Sequence, residues 1–238
     1  FVTATADYEL NLAVTGAGAG LMVAHGGSLV ARQGNQWHIR GENVRDFALA
    51  LSERYATGSV DVDGTQISVF YLPEHAVGGA VYLQAAAKSF RWYSRVLCAY
   101  PYGRLSIAET TGNDPGWVGQ EYPTLIMIGS SSTAADGGMG GYLSYAVAHE
   151  VAHQWFYGLV GDNQVYEPWL DEAFATYLGY QYLRLNYPAT YPGHLARLRR
   201  HPQLQAGPGP LCQPTGRGGQ GQGGGAGPQD RRAPVRQA

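Results

Sequence analysis

The sequence predicts an α+β fold, and three observations predict it. Strand-like alternation punctuated by glycine fills the N-terminal side, long helix-forming stretches follow, and the last residues lack what a core needs. Three regions result: residues 1–58, a partial β-sandwich or meander; residues 59–191, a mixed domain; and residues 192–238, a disordered tail.

Tyr8, Leu10, Leu12 and Val14 alternate with Glu9, Asn11 and Ala13, the period of a strand with one buried face. Glycine clusters (GAGAG, HGG) then separate SLVAR and QWHIR, and this β region ends near Tyr55. From Ser59, V-D-V-D-G-T-Q-I-S-V-F-Y-L places two strands around Asp63-Gly64, a hairpin dipeptide. Gly79 to Tyr100 predicts one long helix with Val81, Ala85, Phe90 and Val96 as its inner stripe, stopped by Pro101. Leu105 and Ile107, then Leu125 to Ile128, predict two more strands. A helix over Tyr142 to Tyr157 closes on Gly158, and another runs from Pro168 to Asn186. Pro192 to Ala238 contains no Tyr, Phe, Trp, Ile or Met, so it cannot bury enough apolar surface to offset its ordering entropy.

A hydrophobic content of 45% suits a globular core, and a net charge of -2 gives no basic footprint for nucleic acid. No apolar run is long enough to span a bilayer as a helix. Cys98 and Cys212 are far apart in dissimilar surroundings, which argues against a disulfide framework, and Cys98 reads as a buried thiol. The opening FVTATADYEL has neither an initiator Met nor a targeting pattern, so the chain is expected to start inside something longer or to be processed. No compartment, side-chain preference or oligomeric state follows.

The chemistry lies on the last two helices. Ala148-His149-Glu150-Val151-Ala152-His153 contains H-E-x-x-H, and histidines four apart lie one above the other on a helix, where both can reach one ion. Glu150 is rotated by about 100° from His149, beside the ion rather than on it, the place for a general base. Glu172, in W-L-D-E-A-F-A near the start of the next helix, has apolar neighbours; an unpaired carboxylate there is costly to bury, and a metal removes the cost. One zinc ion held by His149, His153 and Glu172 is the resulting expectation.

With its third ligand eighteen residues beyond H-E-V-A-H, this arrangement resembles the gluzincin zinc aminopeptidases of the aminopeptidase N (membrane alanyl aminopeptidase) family, truncated at both ends. Gly119-Gln120-Glu121-Tyr122-Pro123 is similar to that family's G-x-M-E-N segment, and Glu42-Asn43-Val44-Arg45-Asp46-Phe47 to the end of its N-terminal β-domain. The resemblance covers roughly Ala6 to Tyr187. It implies that residues 1–58 are the remnant of a β-domain and residues 59–191 a thermolysin-like catalytic domain. It also implies zinc ligands at His149, His153 and Glu172, a base at Glu150, and substrate contacts at Gly119 and Glu121, the latter anchoring a peptide's free α-amino group. Gln120 stands where the family often has Met, which alters a subsite. Members also use a downstream Tyr on the oxyanion, whereas the last tyrosine here is Tyr191; the chain as written is therefore expected to bind zinc and to be a weak peptidase or none.

The activity implied is removal of N-terminal residues from peptides by zinc-activated water. Rival readings are an endopeptidase, an epoxide hydrolase on the same zinc site, and a non-catalytic zinc- or peptide-binding module. His25, His38, His75, His194 and His201 have no partner at ligand spacing and read as surface or satisfied histidines. Tyr142, Tyr145, Trp155, Phe156, Trp169 and Phe174 read as core rather than pocket. Glu167 and Asp171 read as solvated acids at a helix start rather than as partners of a ligand histidine.

Overall fold

A computed structural model describes residues 3–111, 119–130 and 142–188. The predicted tail, 192–238, lies outside the described residues. The N-terminal part holds an antiparallel sheet in the order β1-β4-β3, formed by β1 (Ala6–Ala13), β4 (Gln36–Val44) and β3 (Ser28–Gln33). A separate antiparallel pair joins β2 (Met22–His25) to β5 (Leu49–Ser52). The alternation read in β1 is real: Tyr8, Leu10 and Leu12 are partly covered while Glu9 and Asn11 face out.

The central element is a five-stranded mixed sheet, β6-β7-β8-β10-β9, made of β6 (Ala56–Val62), β7 (Thr65–Tyr71), β8 (Arg104–Thr110), β10 (Leu125–Gly129) and β9 (Gly119–Gln120). β6 and β7 form the expected hairpin, and its turn residues Asp63 and Gly64 have φ of 54° and 88°. Positive φ at both positions is the type I′ geometry that matches strand twist. The pairs β7–β8 and β8–β10 are parallel, and β9 closes the other edge antiparallel to β10. Parallel pairing needs a crossover, here α1 (Ala76–Val96), entered through a 3-10 turn at Pro73–His75.

This helix starts three residues earlier than predicted and ends four earlier. Past its end the chain turns so that Tyr100 packs edge-on against Phe90, 5.2 Å between ring centroids, and against Trp155. Its buried stripe is also shifted: Tyr82, Ala86 and Tyr93 lie at the centre with Ala85 and Phe90, while Val81 and Val96 only flank it. Cys98 lies just past the helix and is disulfide-bonded, contrary to the free thiol expected; Cys212 lies outside the described residues.

On the same side of the sheet, α2 (Tyr142–Ala152) and α3 (Trp169–Asn186) complete one apolar core. It joins Ile67, Leu105 and Ile126 of the strands to Phe90, Val147 and Tyr182 of the helices. The other face of the sheet meets the N-terminal part through Ala108 and Leu125 against Ala24. No described helix is long and apolar enough to cross a membrane.

Helix α2 stops at Ala152, not Tyr157. Beyond it the backbone tightens, with Gln154 N donating to Val151 O and Trp155 N to Ala152 O, and Tyr157 takes a φ of 94°. Gly158 still terminates the motif: its N–H bonds His153 O, and a Cβ there would collide with the Gln154 carbonyl.

Candidate functional site

Helix α2 is held from below by Tyr93, whose hydroxyl donates to the Ala148 carbonyl at 3.0 Å. Its upper face carries His149 and His153, whose Nε2 atoms stand 3.2 Å apart with the rings nearly perpendicular. Gly179 lets α3 approach: a Cβ there would press into the Tyr145 ring and lie 3.4 Å from His149 Cβ. That approach delivers Glu172, with Oε2 3.3 Å from His149 Nε2 and Oε1 3.9 Å from His153 Nε2.

A tetrahedral ion with bonds of about 2.0–2.2 Å spaces its donors by about 3.4 Å. The three separations lie around that value, so these residues fit a single metal ion. His153 is also in a suitable protonation state. Burial, and then the neighbouring His149, push its pKa down to about 4, so the imidazole is neutral near pH 7. Its Nδ1 faces the Phe156 carbonyl at 3.2 Å; a proton there leaves the Nε2 lone pair for a metal. Glu172 departs from expectation. Its side chain is 54% exposed rather than buried among apolar groups, and a hydrogen bond to His149 is the main cause holding its carboxyl below the usual range.

Glu150 lies beside His153 and is buried, with Oε2 lacking a hydrogen-bond partner. Burial first, then the carboxylates of Glu121 and Glu172, push its pKa well above the ordinary value. Gly119 makes room for it, since a Cβ on that residue would overlap the Glu150 carboxylate. Glu121, just past β9, is also buried and raised, chiefly by desolvation. Carboxylate oxygens of Glu121 and Glu150 and a nitrogen of His153 lie within 4.8 Å of one another. All the residues picked from the sequence for this site are thus brought to one place.

Some expectations are corrected. Asp171 is not a solvated acid: it is 2% exposed, its Oδ1 accepts from Glu172 N, and its Oδ2 lies 3.7 Å from His153 Nδ1. Glu167 is exposed, as expected. Trp155 and Phe156 are core, but Trp169 is 61% and Phe174 47% exposed, the latter stacked on Phe156. Tyr145 lies tilted against His149, 5.8 Å between ring centroids, and the side chain of Tyr142 lies outside the description. His25 is buried on the Gly26 carbonyl, His38 pairs with Glu9 and His75 with Glu109, whereas His194 and His201 lie outside the described residues.

Sequence reasoning missed Gln164, while Gln120, expected to alter a subsite, lies against Glu121. Gln120 Nε2 donates to Glu121 Oε2 at 3.0 Å, and Gln164 Nε2 to Glu121 Oε1 at 2.9 Å. Gln164 sits in the spacer between the histidines and Glu172, where no periodicity marks one polar residue above another.

A family model described as the Peptidase family M1 domain matches residues 84–204, about half of the chain. Human endoplasmic reticulum aminopeptidase 1 is 24% identical over 147 residues, covering 59% of this chain and 15% of the relative. Human endoplasmic reticulum aminopeptidase 2 is 29% identical over 136 residues, 54% of this chain and 13% of its own. Mouse aminopeptidase O is 34% identical over 83 residues, 35% of this chain and 10% of its own. The chain therefore spans between 10% and 15% of the length of these relatives.

Proposed function

Because the chain belongs to peptidase family M1, we propose that it carries the zinc centre of an aminopeptidase, within a thermolysin-like catalytic domain over residues 59–191. The convergence of His149, His153 and Glu172 at the spacing of one ion, with Glu150 beside it, carries this reading.

In it, His149 and His153 bind through Nε2 and Glu172 through its carboxylate. Zinc held there supplies an activated water and a Lewis acid. Glu150 takes a proton and returns it to the leaving amine; burial and neighbouring carboxylates favour its protonated form, and a cation nearby favours the ionised one, which brings it toward the range useful for both steps. Glu121 receives the α-ammonium of the substrate. An ammonium in a closed site needs a carboxylate, and fixing the terminus selects the first peptide bond. Gly119 lies on β9 at the sheet edge, where an extended peptide could add as a further strand.

The test is zinc content together with cleavage of an aminoacyl-arylamide and its N-acetylated counterpart. One zinc per chain and cleavage of the free-amine substrate alone are expected. Cleavage of both at equal rates would replace the aminopeptidase reading by an endopeptidase one, and absence of zinc would remove the centre itself.

A further inference from the structure

The two hydrogens of a single side-chain amide are spent on two buried acids. Gln164 Nε2 donates to Glu121 Oε1 at 2.9 Å and to Asp171 Oδ2 at 3.0 Å. Asp171 in turn sits at the first turn of α3, holding the backbone N–H of Glu172 and facing His153 Nδ1. Gln164 therefore joins the carboxylate read as the amine anchor to the helix that delivers the third metal-binding residue.

Local structure holds it there. Asn163 forms a compact turn: its side-chain oxygen faces the N–H groups of Val165 and Tyr166, and its carbonyl accepts from Glu167 N at 2.7 Å. Gln164, enclosed by this turn, is thereby fixed toward Glu121.

The residue type also matters. A lysine or arginine bridging these acids would neutralise Glu121 and occupy the place of a substrate ammonium; a carboxylate would add repulsion. A glutamine gives donors without charge, so it sets the geometry of Glu121 without supplying a cation that would take the place of the substrate ammonium. Gln120 does the same on the other oxygen, leaving each oxygen of Glu121 with one neutral donor.

We propose that Gln164 is a positioning residue for recognition of the free α-ammonium, acting through Glu121 and tied by Asp171 to the metal centre. This rests on the amine-anchor reading of Glu121 above. It separates recognition of the terminus from the metal: losing Gln164 leaves the His149, His153 and Glu172 donors in place and frees Glu121 to rotate.

The experiment measures binding of leucine hydroxamate and N-acetyl-leucine hydroxamate to the zinc-loaded chain and to Gln164→Met, Gln164→Asn and Glu121→Gln, by calorimetry. Zinc content and thermal melting accompany each variant. The parent should prefer the free amine. Gln164→Met should lose about tenfold in affinity for the free-amine ligand, with the acetylated ligand unchanged and one zinc retained. Gln164→Asn, too short to reach both acids, should lose it as well while keeping the polarity that favours folding. Equal losses for both ligands, or no loss, overturn the positioning role. If Glu121→Gln abolishes the preference and neither Gln164 variant changes it, this inference fails and the anchor reading stands. If the parent shows no preference, or Glu121→Gln leaves one intact, the anchor reading fails and takes this inference with it.

Discussion

At the scale of residues, the site is a problem of unlike costs. Glu121, Glu150 and Asp171 are buried acids within a few side chains of each other, the His153 imidazole beside them is held neutral near pH 7 by burial, and His149 Nδ1 has no hydrogen-bond partner. Glu150 has an oxygen with no partner, an arrangement that costs stability unless a ligand or ion faces it. Changing Glu150 to Gln keeps the volume and removes the proton acceptor, so metal content should remain at one per chain while turnover falls by about 10²–10⁴; preserved turnover would remove the assigned role. His153→Ala removes a buried donor in the middle of the cluster and should abolish stoichiometric zinc, read by elemental analysis of the folded variant. Undiminished zinc would show that the ion binds elsewhere. The residues named in these tests were legible because H-E-x-x-H is local: a helix alone brings positions four apart together. Gln164 and the burial of Asp171 were not, since both depend on how a spacer folds back across Glu121, and nothing in its composition records that path.

At the scale of elements, the separation of α2 and α3 sets the span between the histidines and Glu172. Gly179 sits at their contact, and any Cβ there meets the Tyr145 ring and His149 Cβ. Gly179→Val should push the helices apart and weaken zinc binding by at least about tenfold, measured by competition with a chelator of known affinity. Gly64→Ala, in the distant β6–β7 turn at a φ of 88°, should cost stability of about 1 kcal/mol without touching metal affinity. Equal metal affinity in the two variants would show that helix approach does not control the site. The turn was readable because Asp-Gly between alternating runs has one favoured geometry. The early ends of α1 and α2 were not, because propensity allows both helices to continue; aromatic packing around Trp155 and the His153–Phe156 turn stop them.

At the scale of the molecule, the sheet assembles strands far apart in sequence, β7 beside β8 and β8 beside β10, both parallel. The strands themselves were visible as apolar runs, but their order depends on the α1 crossover and on a separate apolar cluster on each face of the sheet, which alternation cannot encode. The helix-side core, which includes Val147, Ala148 and Val151 around the histidines, joins metal state to global stability. In the metal-free chain Glu150 titrates well above its ordinary range in the folded form, so the folded state holds a proton that the unfolded chain releases above about pH 4.5. Stability from this group is present at low pH and is lost as pH rises toward the folded pKa; Glu121 acts in the same direction. His153 acts oppositely, since its folded pKa of about 4 lies below its unfolded value of 6.5, and its cost appears only as pH falls below that value. Above pH 6.5, where the His153 contribution is spent, the chelated chain should lose stability with rising pH until Glu150 ionises in the folded state, by at most about 1.4 kcal/mol per pH unit for each proton released. A bound divalent cation favours the ionised carboxylates and should flatten that slope, while raising the melting temperature throughout. Glu150→Gln should flatten it without metal. Melting curves across this range, with chelator and with zinc, check the idea: parallel slopes in both conditions, or an unchanged slope in Glu150→Gln, would show that the buried carboxylates do not sense the metal.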